Sequence, residues 1–445
     1  MNNEMNLVIN PLRAAVLAGT RSTVDVLVRL QAPARPEGLT TQRGPLHLAL
    51  VIDRSGSMSG KPLAEARRCA RMVVDGLVAG DRAAVVAYDG DVDRLTPLLD
   101  ISERAALRHA IDSIEEGGCT NLHGGWLAGA ELLAPHTSAG ALSRVILLSD
   151  GNANAGLTDT GAICEQARSL AGAGVSTSTY GLGHHFNEEL MTALADAGGG
   201  NAYYGQSADD LADPFREELA LLDALCARKV ELFVETPVGV TCELLNGYAR
   251  SPGGGWRLPD LAYDGEAWAL LRLTVEANVA AAGGTVSLLK AHARWQDLEG
   301  VAAGHGLVAL ELPAMPAAAY AAVAEDSLVR RRVDEVSVAG LKDTARAAAR
   351  RHDWDTVERM LAEARRMSRD NPWLLSVVDE LEGLARRRDA AMFAKEAMYS
   401  ARRERTRLAS RVENIDPAEQ SVASFLRRKS AQGKGEPPRG GRGNR

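Results

Sequence analysis

Three side chains at the end of one apolar run carry the first chemical signal. In VIDRSGSMSG, Asp53, Ser55 and Ser57 alternate along a short loop ahead of a helical stretch, so a carboxylate and two hydroxyls can converge on one point. All three are hard oxygen donors. Oxygen-only ligation selects Mg2+, Ca2+ or Mn2+ over zinc or copper, and a small, near-octahedral site with bonds of about 2.0 to 2.1 Å favours Mg2+. Gly56 is expected to let the loop bend without a Cβ clash. Taken alone, the same pattern also fits an ordinary strand-to-helix turn in which Ser and Asp cap the helix.

DRSGS matches a D-x-S-x-S signature, and with it the segment resembles the metal-ion-dependent adhesion site of von Willebrand factor type A domains. That pattern continues with a Thr on a Gly-bordered loop, met by Thr120 in GGCTNLHGG, and an Asp ending the next central strand, met by Asp150 in LLSDG. The resemblance covers roughly Pro45 to Leu225. It implies that Asp53, Ser55, Ser57, Thr120 and Asp150 hold Mg2+, with Ca2+ or Mn2+ as alternatives, and leave one coordination position open. A Glu or Asp of a protein partner would fill it, because an incompletely coordinated ion gains a strong charge-assisted bond from an incoming carboxylate. Arg54 and Asn121, next to the ligands in sequence, are expected on the rim. The implied role is a metal-dependent interaction scaffold rather than an enzyme. Two alternatives stand beside it: an adaptor subunit of an AAA+ ATPase machine, as some type A proteins are, and a metal-dependent hydrolase with a bound water as nucleophile. No general base beside the site can be named for the hydrolase.

Other chemistry in the chain is weaker. A serine-hydrolase elbow fails because the residue central to G-x-S-x-G between Gly56 and Gly60 is Met58. GLGHHF from Gly181 lacks the third glycine of a dinucleotide fingerprint, and no G-x-x-x-x-G-K-[ST] loop occurs. His184 and His185 have no Cys or carboxylate at ligand spacing and read as surface residues. Asp89, Asp91 and Asp93 could hold a second ion, but a solvated hairpin between strands explains them better. The runs Arg330 to Arg332 and Arg386 to Arg388 read as solvated helix faces.

The elements that must position these side chains follow from hydrophobic patterning. Between Leu46 and Leu225 short apolar runs alternate with helical stretches, the layout of an α/β, doubly wound, mostly parallel sheet. The β-type runs are Leu46 to Ile52, Ala83 to Tyr88, Arg144 to Ser149 and Val175 to Leu182. LHLALVI and RVILLS are apolar almost without a break, so both belong at the sheet centre, buried on two faces. Helices are expected over Pro62 to Val78, Glu103 to Ile114, Leu122 to Leu133, Thr160 to Ala173, Asn187 to Ala197 and Asp209 to Leu222, with start signals at Ser102, Thr158 and Asn187. Strands without helices flank this unit, at Thr23 to Gln31 and at Val230 to Glu235, Val240 to Leu245, Ala267 to Val275, Val286 to Trp295 and Leu307 to Leu312. They predict an antiparallel β-sandwich into which the α/β unit is inserted, since a lone early strand is not stable. Beyond Pro313, Trp354, Val357, Leu361 and Ala364, then Leu374, Val377, Leu381 and Leu384, predict an antiparallel helix pair broken at Asn371 and Pro372. The expected organisation is 1–44 N-terminal strands, 45–226 α/β domain, 227–313 sandwich, 314–410 helical region and 411–445 basic tail. From Arg427 the tail carries seven basic residues against Glu436 and should be disordered.

Bulk composition bounds the partners. At 445 residues the chain exceeds a single core, and a net charge of -7 argues against a nucleic-acid coat, leaving only the basic tail open. No run reaches the roughly 18 apolar residues of a membrane span. Five scattered cysteines with no C-x-x-C, and no basic n-region ahead of an apolar run at the start, predict a reduced, cytoplasmic protein.

Overall fold

Leu46–Asp53 is buried at all eight positions, as is Leu142–Ser149, and these two strands lie side by side and parallel at the centre of a seven-stranded sheet. The computed structural model describes residues 4–36, 44–137, 140–150, 153–182, 187–205, 208–406 and 408–410. Within them the chain divides into two compact units, one at Thr40–Ala224 with Leu298–Gly300, the other within Met1–Leu39, Leu225–Asp297 and Val301–Arg445.

The first unit is a mixed α/β fold with a parallel sheet and helices. Its strands run in the order Gly199–Gly205, Val175–Leu182, Leu142–Ser149, Leu46–Asp53, Arg82–Tyr88 and Val92–Arg94, the first five parallel and the last antiparallel, with Leu99–Asp100 also paired to Arg82–Tyr88. From Leu46–Asp53 the chain first moves to Arg82–Tyr88 on one side and later returns to Leu142–Ser149 on the other. The carboxyl ends of Leu46–Asp53 and Leu142–Ser149 therefore bracket the point where strand order reverses, the usual ligand crevice of open α/β sheets. Asp53 and Asp150 stand at that crevice because each terminates or follows one of those two strands.

The expected helices form, with shifts of one or two residues at their ends: Lys61–Gly76, Arg104–Asp112, Leu122–Leu133, Thr160–Gly172, Glu188–Ala197 and Ala208–Ala224. Asn187 caps its helix through Leu190 N–H, as expected, whereas the cap before Thr160 is Asp159 and not Thr158. Ser102 lies inside a short 3-10 turn capped by Asp100 instead of starting a helix. Leu122–Leu133 lies unusually close to the sheet. A Cβ on Gly125 would fall 2.3 Å from the Tyr88 ring and one on Gly129 2.4 Å from Val51, so two bare backbones one helical turn apart let the helix sit on the central strands.

The second unit holds two antiparallel sheets. Ser22–Gln31 pairs with Gly265–Val275 over ten register positions, with Asn6–Pro11 and Val240–Leu244 outside them and Ala409–Ser410 against Gly265 and Glu266. Leu225–Glu235, Thr285–Gln296 and Ala302–Met315 form the other, which ends in a parallel pairing with Val16–Leu17. Four helices of fourteen residues or more follow, Ser327–Arg350, Trp354–Met367, Pro372–Arg386 and Ala390–Thr406. Sequence periodicity gave only the middle pair. The flanking two bury Arg332, Glu335, Lys342, Lys395 and Glu404, whose charges interrupt the apolar stripe that would announce them. Ser327–Arg350 packs Val329, Val333 and Val336 on Leu27, Trp268 and Leu270, so the helices share a core with the first antiparallel sheet. Inside this unit Lys342 forms a fully buried ion pair with Glu404, and Arg332 pairs with Glu335 beneath the Trp268 ring. No helix of the described residues is long and apolar enough to cross a membrane. The tail 411–445 and the His184–His185 pair lie outside the described residues.

The glycine contacts give a direct test. Gly129→Val should lower stability by about 1 to 3 kcal/mol through overpacking against Val51. Gly172→Ala, where an added Cβ meets nothing within 4 Å, should leave stability unchanged or slightly raised. Denaturant unfolding of both variants checks the contrast.

Candidate metal centre

The site begins with a carboxylate that the sheet takes out of water. Asp53 is 0% exposed, and its Oδ1 accepts the Ser55 N–H at 2.9 Å while Oδ2 accepts Ser149 Oγ–H at 2.5 Å and Tyr88 O–H at 3.3 Å. None of these three partners is a cation. Burial pushes the Asp53 carboxyl up to about 6; the Ser149 and Ser55 hydrogen bonds pull the other way, and the Asp150 charge adds to the rise. Burial beside a second acid, with only hydroxyl and amide donors bonded to it, disfavours the charged form, so a bound cation would relieve the cost that a proton relieves at lower pH.

Ser55 and Ser57 complete the first loop. Ser55 is buried, Ser57 exposed, and their Oγ atoms are 3.3 Å apart. Gly56–Met58 forms a short 3-10 turn in which no side chain caps, and the following helix Lys61–Gly76 starts at Gly60, whose φ of 72° suits glycine, again without a side-chain cap. The helix-capping use of this Ser/Asp pattern is thus absent from the loop. The bend does not depend on Gly56, because a Cβ there would lie an ordinary 3.6 Å from Gly118 O. The sterically constrained glycine is Gly117, where a Cβ would come within 2.0 Å of Asp89 Oδ2.

Thr120 is buried in a second loop that backbone bonds stitch to the first. Gly117 N–H donates to Arg54 O at 2.8 Å and Gly56 N–H to Gly118 O at 2.9 Å. Thr120 N–H donates to Asn154 Oδ1 at 2.8 Å, and its carbonyl accepts from Asn154 and Ala155 N–H groups. The stretch after Asp150 is thereby joined to the Thr120 loop, and Asp150 itself is 7% exposed. Asp53 is bonded to Ser55 and Ser55 to Ser57; the Asp150 charge acts on Asp53; the loop that carries Thr120 is tied to the first by backbone bonds at Gly117 and Gly118.

Several residues around this centre have roles that spacing did not reveal. Arg54, expected on the rim, binds Asp89 at 3.1 Å and Asp93 at 2.7 Å, and Asn121 caps helix Leu122–Leu133 through Gly124 N–H. The expected hairpin forms between Arg82–Tyr88 and Val92–Arg94, with Asp91 and Asp93 exposed, but the Asp89 side chain in its turn is engaged: its Oδ2 accepts Gly118 N–H at 2.9 Å and its Oδ1 accepts Arg54 and Asp91 N–H. Burial alone would raise its pKa, but those bonds outweigh it and hold the carboxyl below its ordinary value. Ser149, Tyr88 and Asn154 carried no signal, since a polar side chain at the end of a buried strand or inside a turn looks unexceptional in sequence. Among the described residues no group of three or more His, Cys, Asp or Glu gathers as a metal cluster, so any ion here would draw on hydroxyl ligands as well as the two acids.

Residues 47–217 match the von Willebrand factor type A domain family. The uncharacterised protein YfbK of Escherichia coli (strain K12) is 31% identical over 211 residues, 46% of this chain and 36% of that protein. Human inter-alpha-trypsin inhibitor heavy chain H3 is 29% identical over 199 residues, 42% of this chain and 22% of that protein. The alignments thus span about a third or less of these curated relatives. A solved von Willebrand factor type A structure from Catenulispora acidiphila superposes with a TM-score of 0.68 at 18% identity, over 89% of this chain and 97% of that one. The ArnB paralog VWA2 from Sulfolobus acidocaldarius does so with a TM-score of 0.62 at 18% identity, over 90% and 99%. At that identity the likeness is one of fold.

The raised Asp53 carboxyl fixes a sign for pH dependence. A folded-state pKa of about 6 against an ordinary 3.8 means the folded protein binds the proton more tightly than the unfolded chain, so metal-free stability from this group falls as pH rises from about 4 to about 6. In EDTA, Asp53→Asn should therefore be more stable than the parent at pH 8, by up to about 3 kcal/mol, and the difference should close as pH falls toward 4. Thermal melts across that range check it.

Proposed function

We propose that this chain binds a protein partner through a divalent cation held by Asp53, Ser55, Ser57, Thr120 and Asp150, because residues 47–217 match the von Willebrand factor type A domain, a family that typically mediates protein–protein interaction. The observation that carries the reading is the Asp53 carboxylate, buried beside Asp150 at the strand-order reversal with no cation among its hydrogen-bond partners. The donor set is all oxygen and includes two carboxylates, which suits Mg2+, with Ca2+ or Mn2+ as substitutes.

When bound, the ion supplies a Lewis-acidic position for an anionic ligand. The chain's own residues do the rest. Ser149 and Tyr88 hold one Asp53 oxygen and Ser55 N–H the other, which fixes the carboxylate's orientation before any ion arrives. The exposed Ser57 marks the side from which a ligand can approach. A Glu or Asp side chain of the partner is the fitting occupant, because a carboxylate completes the coordination and adds a charge-assisted bond. Among the described residues no group is placed as a general base at the site, and the activity proposed is binding. The two antiparallel sheets and the helices are read as a sandwich interrupted by the type A domain and extended by helices, available for further contacts.

Saturating Mg2+ should raise the melting temperature of the parent, since an ion at 100 times its Kd stabilises the native state by about 2.7 kcal/mol. Thr120→Ala and Asp150→Ala should remove most of that shift. Proteins retained by the immobilised chain in Mg2+ should be released by EDTA and lost in Thr120→Ala; equal retention in both conditions contradicts the proposal.

A further inference from the structure

Resting on that metal site, we propose that Asp89, none of whose hydrogen bonds goes to a ligand side chain, is the positioning residue that keeps the two ligand-bearing loops in register. Ser55 and Ser57 come from one loop and Thr120 from another, and the coordination sphere exists only if the loops are held within a fraction of an ångström of each other. Asp89 spans both. Its Oδ1 accepts Arg54 Nη2–H at 3.1 Å, one residue before Ser55, while its Oδ2 accepts Gly118 N–H at 2.9 Å, two residues before Thr120. Its carbonyl accepts Asn121 N–H at 2.7 Å, one residue after Thr120, so Thr120 is held from both sides by one residue.

The chemistry demands a carboxylate at this position. Both oxygens must accept, Oδ1 from Arg54 and Asp91 N–H and Oδ2 from Gly118 N–H. An amide of the same shape offers one accepting oxygen and turns its N–H bonds toward a donor, so Asn must release either the Arg54 or the Gly118 contact. The surroundings are cut to the same group. Gly117 leaves the space that Asp89 Oδ2 fills, since a Cβ there would sit 2.0 Å from that oxygen. Asp93 also binds Arg54, at 2.7 Å, but its side chain is 50% exposed and touches only one of the two loops. Asp93 is therefore the matched control, carrying the same charge to the same arginine without the bridge. The alternating acids of this segment thereby divide, Asp89 acting as a brace and Asp93 as a peripheral partner.

Isothermal titration with Mg2+ alone on the full chain tests this at a temperature where each variant is folded, alongside its metal-free melting temperature. Asp89→Asn should weaken Mg2+ binding by about 10- to 100-fold, the usual effect of losing a residue that orients metal ligands. Gly117→Ala, which displaces the carboxylate but keeps its charge, should weaken binding in the same direction and serves if Asp89→Asn does not fold. Asp93→Asn should stay within about threefold of the parent, because an exposed pair contributes little. A merely structural role for Asp89 would lower the metal-free melting temperature and leave the affinity of the folded protein unchanged. Parent-like affinity in Asp89→Asn or, where that does not fold, in Gly117→Ala overturns the inference while the metal site stands. No Mg2+ binding by the parent itself overturns the metal site, and the inference with it.

Discussion

The burial of one negative charge organises this domain. Asp53 ends a strand covered on both faces, and taking a carboxylate out of water costs several kcal/mol unless its charge is met. Ser149, Tyr88 and the Ser55 amide meet it only with neutral donors, so the carboxyl is left with a raised pKa and, next to Asp150, with a standing demand for positive charge. A protein that needed only stability would place an apolar side chain or a basic partner there. The sheet's contribution is to bring a second acid to the same crevice by reversing strand order at that point.

The surrounding packing serves the rigidity that such a charge needs. Gly125 and Gly129 let helix Leu122–Leu133 settle against Tyr88 and Val51, which fixes both the ring that hydrogen-bonds Asp53 and the helix that starts one residue after Asn121. The loops in front are held by backbone bonds between Arg54, Gly56, Gly117 and Gly118 rather than by apolar burial. Glycine-rich GGCTNLHGG thus reads physically as three demands: room for Asp89 at Gly117, and close helix approach at Gly125, beside a capping Asn121.

The parts of this arrangement that were legible in the sequence are those with periodic or local signatures. LHLALVI and the RVILLS run announced two buried central strands because both of their faces are apolar. Gly199–Gly205 was invisible, since GGNAYYG has neither an apolar run nor alternation and pairs on one side only, at the sheet edge. The pattern of Asp53, Ser55 and Ser57 was readable as local alternation, but its second supporting ring was not: Asp89, Asn154, Ser149 and Tyr88 act through tertiary contacts that leave no spacing rule behind. In the C-terminal helices the same limit applies, because Arg332, Glu335 and Lys342 are buried through ion pairing and break the apolar period that marks Trp354–Met367 and Pro372–Arg386.

The central claim is that five oxygen side chains meet around one divalent ion. Anomalous scattering from crystals grown with Mn2+ tests it most directly. The account predicts a single strong peak bounded by Asp53, Ser55, Ser57, Thr120 and Asp150, with Asp53 still bonded to Ser149. A map with no peak in that crevice, or with the ion bound elsewhere and the hydroxyls turned away, would contradict it.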